Sequence, residues 1–182
     1  MKNLMENDIE KILFDNAQIN KKIKELARQI EKDYRDKDLV TVCVLNGASV
    51  FYSNLILEIN IPLEMNFIRV SSYGHGTLSS GNIRTLYDLE TNINGKDVLI
   101  IEDIVDSGHT LLTLKNLFLG RGANTVRCCS LLDKPSRREV EIEPDYSGFT
   151  IPDEFIVGYG LDFAGKYRNL KYIGILKPEI YK

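Results

Sequence analysis

The sequence predicts an α/β protein in which helices flank a mainly parallel, twisted β-sheet. Apolar runs of strand length alternate along the chain with segments of helical periodicity. The run Leu39–Leu45 is apolar almost throughout, as expected for a strand that is covered on both faces. Two turns of small or polar residues, Asn46–Ser49 and Asp106–Thr110, each lead from such a run into a helix. Strands that alternate with helices in this way favour a parallel sheet.

The first half of the chain supplies two predicted helices and three predicted strands. Ile9–Phe14 is a short amphipathic segment, and Asp15 or Asn16 can cap the helix that follows it. The apolar residues of that helix recur at helical spacing, which predicts its buried face. They are Ile19, Ile23, Leu26, Ala27 and Ile30. After the strand Leu39–Leu45 we expect a helix from about Val50, a strand over Leu63–Val70 and a further strand over Ile83–Leu89.

A polar segment rich in Gly and Ser separates those last two strands. It predicts a mobile loop at about residues 71–84, since a long loop in a compact domain is usually either a functional lid or disordered. The glycines in it lack GxGxxG spacing, which excludes a dinucleotide-binding fingerprint.

The second half begins with a strand that starts at Val98 and ends at the acids Glu102 and Asp103, and the helix after the following turn should end near Gly120 or Gly122. A strand over Thr125–Leu132 follows. The residues from Arg137 to Glu143 are predicted to be a solvated edge, and those from Pro144 to Pro152 a loop. Short strands are then expected over Glu154–Asp162 and Tyr172–Leu176.

Composition limits the class of protein. With 182 residues the chain is expected to form a single domain, 1–182. Its net charge of −3 gives no reason to expect a nucleic-acid partner. The absence of a long apolar run or signal peptide predicts a cytoplasmic protein with no membrane partner. The three cysteines lie in apolar runs and lack metal-ligand spacing, so they are expected to be buried, reduced thiols.

Polar groups follow several predicted strands, and ligands of open parallel sheets bind outside the carboxyl ends of the strands. Four groups are expected to converge there. They are Asn46 with Gly47, the acids Glu102, Asp103 and Asp106, the amine of Lys134, and Asp162 with Arg168.

The turn Asp106–Thr110, called the phosphate loop below, combines hydroxyl groups, backbone N–H groups and a helix N-terminus, which are the parts of a phosphate cradle. It is not a Walker loop, because GxxxxGK[ST] is absent. The carboxylates of Glu102 and Asp103 would repel a phosphate, but they suit Mg²⁺ or the hydroxyl groups of a sugar. Together these groups predict a ribose phosphate ligand. The simpler alternative is that Asp106 and Ser107 only cap the helix.

Val98–Thr110 resembles the signature of the type I phosphoribosyltransferases: an aliphatic strand, two acids, two aliphatic residues and a D-S-G-x-T loop. Leu131–Lys134, Pro152–Asp162 and Arg168–Asn169 further resemble the hypoxanthine-guanine phosphoribosyltransferases. The similarity extends from Ile9 to about Leu176. It implies the fold of that family, with a small hood formed by the terminal segments, and a homo-oligomer, either a dimer or a tetramer.

The resemblance also implies roles for individual residues. One set would bind phosphoribosyl pyrophosphate: Asn46, Gly47, Glu102, Asp103, Asp106, Ser107, Gly108, His109, Thr110 and Arg168. A second set would bind the purine: Lys134 at the 6-oxo group, Phe155 by stacking, Ile156 through its carbonyl, and Asp162. Within these sets Asp106 would be the catalytic acid or base at N7, and Glu102, Asp103 and Asp162 would influence or bind Mg²⁺. Ser72 and Tyr73 would belong to the lid.

Two positions depart from the pattern of the family. Asn46 is neutral where relatives often carry a basic residue, which leaves a direct pyrophosphate contact to the backbone near Gly47. The Leu45–Asn46 peptide is expected to be strained, and cis as in the family. His109 occupies a variable loop position, and its side chain is expected to point to solvent.

The implied activity is purine salvage. The 5-phosphoribosyl group would pass from phosphoribosyl pyrophosphate to N9 of hypoxanthine, and of guanine, giving IMP or GMP and pyrophosphate. The alternatives are a relative that prefers xanthine and guanine, and a regulator of the same fold that binds nucleotide or RNA without catalysis. Adenine is disfavoured, because its 6-amino group is a donor and would face the donor Lys134.

Overall fold

A computed structural model describes residues 4–72 and 83–182 of the chain. Most of the predicted mobile loop, including Tyr73, lies outside these residues. At its first margin the structure differs from the loop prediction, because Ser71 pairs with Arg84 and Ser72 with Ile83 in an antiparallel ladder. Ile83 and Arg84 themselves belong to the strand that was expected to begin at Ile83. The backbone of Ser72 therefore belongs to a strand.

The larger of two sheets consists of the six strands β2 (Leu39–Leu45), β3 (Glu64–Ser72), β4 (Ile83–Tyr87), β5 (Asp97–Val105), β6 (Thr125–Asp133) and β7 (Tyr146–Thr150). Their order across the sheet is β4-β3-β2-β5-β6-β7. All neighbouring pairs are parallel except the edge pair of β3 and β4, which is antiparallel.

A small antiparallel sheet has the strand order β1-β9-β8 and joins the two ends of the described chain. Its strands are β1 (Ile9–Phe14), β8 (Ile156–Val157) and β9 (Ile173–Leu176). This sheet is the predicted hood of terminal segments. A short helix, α4 (Pro178–Tyr181), follows it.

The remaining helices cover both faces of the larger sheet, which confirms the predicted fold class. They are α1 (Asn16–Tyr34), α2 (Ser49–Leu57) and α3 (His109–Gly120). The first two pack with one set of core residues, which includes Cys43 and Leu99, and α3 packs with the set on the opposite face. The Asp15 carboxylate caps α1 by accepting from the Gln18 N–H, at 2.8 Å. All five apolar residues that predicted the inner face of α1 are buried.

Two segments differ from their predicted structure. Tyr146–Thr150 was expected to be loop but forms β7, because it pairs in parallel with the exposed edge of β6. The expected strand Glu154–Asp162 is limited to Ile156–Val157, since the chain turns at Gly158, Tyr159 and Gly160, all of which have positive φ. The predicted burial of Cys43, Cys128 and Cys129 as free thiols is confirmed.

Strand order places a crevice next to β2. From β2 the chain continues to β3 on one side, whereas β5 lies on the other side. Ligands of open α/β sheets bind outside the carboxyl ends of the strands at such a reversal of strand order. The turn after β2 and the phosphate loop after β5 both lie at this point.

Candidate active site

The carboxyl end of β5 carries two acids in a poorly solvated position. Glu102 is only 6% exposed, and burial together with the charge of Asp103 raises the pKa of Glu102 well above its ordinary value. Burial also raises the pKa of Asp103 to about 6, although the N–H of Ile104 donates to its Oδ1 atom at 2.8 Å. Two acids that resist ionisation indicate a site where a cation or hydrogen-bond donors complete the environment.

The turn after β2 packs directly against this acidic end. A Cβ atom at Gly47 would overlap the Asp103 carboxylate, so only glycine allows this close approach. The turn after β8 also packs against Gly47, because a Cβ atom at Gly160 would overlap the Gly47 carbonyl oxygen. The Leu45–Asn46 peptide bond is cis, as predicted.

The phosphate loop leads into α3, and Gly108 precedes the helix with a φ of +91°. This left-handed conformation favours glycine. The loop lines a cavity of about 260 Å³, here called the loop cavity, together with Glu102 and Asp103. Free backbone N–H groups at a helix start are suited to bind an anion there. His109 is 42% exposed but does not simply point to solvent, because its Nε2 atom lies 3.0 Å from the Glu139 carboxylate.

A second cavity, of about 410 Å³, lies under the hood and is called the hood cavity below. Lys134, Phe155, Ile156 and Asp162 all line it, so the structure brings the predicted purine-binding residues together. Lys134 is 7% exposed. Its ammonium donates to the Glu154 carbonyl at 2.9 Å, which leaves further N–H groups for a ligand.

An aromatic cluster forms one part of the hood cavity. The ring of Tyr181, from α4, stacks on that of Phe155 with centroids 4.7 Å apart and an interplanar angle of 24°. Phe163 meets Phe155 edge to face, with centroids 5.5 Å apart. Tyr181 also lines the cavity. Sequence reasoning missed Tyr181, since nothing local to the end of the chain indicates that it packs against residue 155.

Asp106 lies in the walls of both cavities, as does Ile104. The Oδ1 atom of Asp106 is inaccessible to solvent, yet it accepts no hydrogen bond among the described residues. The Nε atom of Arg137 lies 3.7 Å from this atom, and the Nη1 atom of Arg137 lies 3.7 Å from Asp153. A buried acceptor without a donor is rare in proteins and is suited to receive a hydrogen bond from a ligand.

Asp162 and Arg168 are paired with each other, with 2.6 Å between Oδ1 and Nη2. Arg168 also donates to the Gly160 carbonyl at 2.6 Å. Both charges influence the pKa of Asp103, which Arg168 lowers and Asp162 raises. The structure thus brings Asp162 and Arg168, which follow β8, close to the acids of β5.

These carboxylates do not form a ready-made metal cage. Within residues 4–72 and 83–182, no group of three or more His, Cys, Asp or Glu converges on one metal position. Magnesium sites commonly combine one or two protein carboxylates with phosphate oxygens of the substrate and with water. One or two of the carboxylates Glu102, Asp103 and Asp162 would therefore be enough to hold a magnesium ion that is shared with a phosphate-bearing ligand.

The segment predicted to be a solvated edge contributes to the site. Arg138 is 13% exposed and donates to the main-chain carbonyl of Asp106 and to the Asp133 carboxylate. The prediction was wrong for Arg138, because local polarity does not reveal an ion-pair partner on β6. Arg137, in contrast, is 54% exposed.

The comparisons with known proteins agree with this geometry. A family profile for the phosphoribosyl transferase domain matches residues 10–164. The chain therefore belongs to the phosphoribosyltransferase family. None of the helices in the described parts of the chain is long and apolar enough to cross a membrane.

The individual relatives are more specific. A hypoxanthine-guanine phosphoribosyltransferase of Streptococcus thermophilus is 52% identical over 98% of this chain and 99% of its own length. A hypoxanthine phosphoribosyltransferase structure from Staphylococcus aureus superposes with a TM-score of 0.97, at 47% identity, over 100% of this chain and 99% of that one. These matches confirm the resemblance to the hypoxanthine-guanine phosphoribosyltransferases.

Other relatives are much longer. The bifunctional protein TilS/HprT of Listeria monocytogenes is 51% identical over 97% of this chain, but the match spans 27% of the length of that relative. The chain thus covers about a quarter of these bifunctional proteins.

Proposed function

We propose that the chain transfers the 5-phosphoribosyl group from phosphoribosyl pyrophosphate to N9 of hypoxanthine, and of guanine, producing IMP or GMP and pyrophosphate. The observation that carries this proposal is the junction of the two cavities at Asp106 and Ile104. One cavity has the parts of a ribose phosphate site, the other has the parts of a base site, and the new bond would form between them. The names of the close relatives support the same reaction.

The loop cavity would hold the sugar half of the substrate. Ser107, Gly108 and Thr110 line it and would cradle the 5′-phosphate at the start of α3. Glu102 and Asp103 would accept hydrogen bonds from the ribose hydroxyl groups. The pyrophosphate would lie between the backbone at Gly47 and the guanidinium of Arg168, which suits an anion with several oxygens.

The hood cavity would hold the base. The Lys134 ammonium would donate to the 6-oxo group, the ring of Phe155 would stack on the purine, and the Ile156 carbonyl would accept from the 2-amino group of guanine. A 6-amino group would face Lys134 donor to donor, which selects against adenine.

Asp106 would handle the proton at N7. Its Oδ1 atom is inaccessible to solvent and receives no hydrogen bond within residues 4–72 and 83–182, and it lies next to the place where the two substrates would meet. A carboxylate in this position can take the N7 proton as N9 bonds to the sugar, which keeps the purine neutral overall.

Magnesium, bound to the pyrophosphate and to Glu102, Asp103 or Asp162, would neutralise charge on the leaving group. Ser72 and Tyr73 would help to exclude water from the reacting sugar. A homo-oligomer, a dimer or tetramer, would cover exposed apolar side chains of β3 and β4, which are Met65, Leu86 and Tyr87. The three free, buried thiols suit the reducing cytoplasm.

The test is an initial-rate panel of hypoxanthine, guanine, xanthine and adenine with phosphoribosyl pyrophosphate and Mg²⁺. We expect turnover of hypoxanthine and guanine and little of adenine. Xanthine as the best substrate, or no turnover of any base, would overturn the assignment.

Asp106→Asn tests the proton step. We expect a loss in kcat of about 10²- to 10⁴-fold, with little change in the Kd for phosphoribosyl pyrophosphate. Asp36→Asn, at an exposed position in the turn before β2, is the matched control and should leave kcat unchanged. Unaltered turnover in Asp106→Asn would remove this residue from the mechanism.

A further inference from the structure

Two buried charged groups lie just outside the loop cavity and have no part in the reaction proposed above. The side chains of Arg138 and Asp133 are 13% and 12% exposed, respectively. One end of the Arg138 guanidinium donates to the Asp133 carboxylate, and the other donates to the main-chain carbonyl of Asp106. This pair is called the arginine clamp below.

The clamp is anchored to the sheet. Asp133 is the last residue of β6 and pairs with Val105 in β5, and the N–H of Lys134 donates to the Val105 carbonyl at 3.0 Å. Rigid strands therefore fix Asp133, and the Asp133 carboxylate orients Arg138 through a charge-assisted hydrogen bond.

Neighbours of Arg138 hold the same loop. The N–H of Glu139 donates to the Ser107 carbonyl at 3.0 Å. A Cβ atom at Gly108 would lie 2.7 Å from Ile142, 2.9 Å from Val140 and 3.0 Å from Arg138. The segment after β6 thus covers one side of the phosphate loop closely.

These contacts determine where the N–H groups of the loop point. A trans peptide is planar, so its carbonyl and its N–H point in opposite directions. Arg138 fixes the carbonyl of Asp106, which directs the N–H of Ser107 away from the clamp. The N–H of Glu139 fixes the carbonyl of Ser107, so the N–H of Gly108 points away from Glu139.

We propose that Arg138, held by Asp133, is a positioning residue that orients the Ser107 and Gly108 amides toward the 5′-phosphate and sets the position of Asp106. This inference rests on the proposed function for the identity of the ligand. The physical reason is preorganisation, because amides fixed before binding spare the ligand the cost of ordering the loop.

The first test is kinetic. Arg138→Met keeps the aliphatic volume but removes both hydrogen bonds. We expect kcat/KM for phosphoribosyl pyrophosphate to fall about 10- to 100-fold, while KM for hypoxanthine stays nearly unchanged. Arg138→Lys should recover only part of the loss, because one ammonium cannot reproduce a planar fork with two fixed directions.

The matched control is Arg121→Met. Arg121 makes a bidentate pair with Asp88, at 2.7 Å for both contacts, but it follows the far end of α3. Loss of this pair should leave both KM values unchanged. The Arg121→Met variant therefore shows how the loss of an arginine ion pair at a distant position affects the kinetics.

A double variant separates positioning from stability. Arg138→Met alone leaves the Asp133 carboxylate buried and unpaired, which destabilises the fold. Adding Asp133→Asn removes that charge, so the thermal midpoint should recover toward that of the wild type. The defect in kcat/KM for phosphoribosyl pyrophosphate should persist, because the Asp106 carbonyl still lacks its donor. If kcat/KM recovered together with the midpoint, the role of the clamp would be structural only and the proposal would fail.

A measurement independent of activity completes the test. Amide hydrogen exchange, followed by NMR on the full chain, should be at least about tenfold faster at Glu139, whose N–H donates to the Ser107 carbonyl, in Arg138→Met than in wild type. Unchanged exchange would overturn the clamp even if the enzyme is active. A wild-type protein that turns over no purine would instead refute the proposed function, and the exchange rates would still decide whether Arg138 orders the loop.

Discussion

Replacing Asp103 by Asn should stabilise the protein at neutral pH, although Asp103 belongs to the candidate active site. Burial raises the pKa of this carboxyl from its ordinary value of 3.8 to about 6. The folded protein therefore binds the proton more tightly than the unfolded chain does. The contribution of the protonated Asp103 carboxyl to the free energy of unfolding is fully present below the unfolded pKa. It is lost as the pH rises from about 4 to about 6, where the folded carboxyl is forced to ionise.

The magnitude follows from the two pKa values. At about 1.36 kcal/mol per pKa unit, the gap between 3.8 and about 6 corresponds to about 3 kcal/mol at pH 8. Asn stays neutral, and its side-chain oxygen can still accept from the Ile104 N–H. Losing the charge of Asp103 also eases the ionisation of Glu102. For a chain of 182 residues, about 3 kcal/mol raises Tm by about 6 to 12 °C.

The assay is thermal or urea unfolding of both proteins without ligand, at a series of pH values from about 3.5 to 8. The gain from Asp103→Asn should be largest near pH 8 and should vanish below about pH 4. Asp88→Asn is a control of opposite sign, because Arg121 lowers the pKa of Asp88 and the wild-type charge is stabilising there. A gain from Asp103→Asn that is the same at every pH would refute the reasoning, since it could not come from ionisation.

Two further predictions concern the hood cavity. Lys134→Met should lower kcat/KM for hypoxanthine about 10- to 100-fold, because a charged donor to the 6-oxo group is lost, while KM for phosphoribosyl pyrophosphate stays constant in steady-state kinetics. Tyr181→Ala should raise KM for hypoxanthine about 3- to 10-fold by removing the ring that supports Phe155, and Tyr181→Phe should not. An equal rise in both Tyr181 variants would place the effect in the hydroxyl group instead of the ring.

Local sequence determined much of the scaffold. Helix α1 could be predicted because its capping residue and its apolar spacing act within the helix. The phosphate loop could be predicted because an aliphatic strand, two acids and a glycine turn are consecutive in the chain. In contrast, β7 was missed because its pairing with β6 is not recorded in its own residues.

The candidate site shows the same division. Glu102, Asp103 and Asp106 lie on one strand and the turn after it, so their proximity follows from sequence order. Arg138 and Tyr181 could not be assigned in this way, because their contacts with residues 106 and 155 span many positions of the chain. Only folding brings such groups together.

The sequence by itself determined the α/β class, most of its helices and strands and the phosphate-shaped turn at Asp106–Thr110, because short-range periodicity and turn chemistry encode them. The tertiary structure alone decided that Asp106 lies between two cavities, that Gly47 presses on Asp103, and that Arg138 holds the loop. The physical reason is that burial and pairing depend on which distant segments share a sheet edge, and strand order sets that edge.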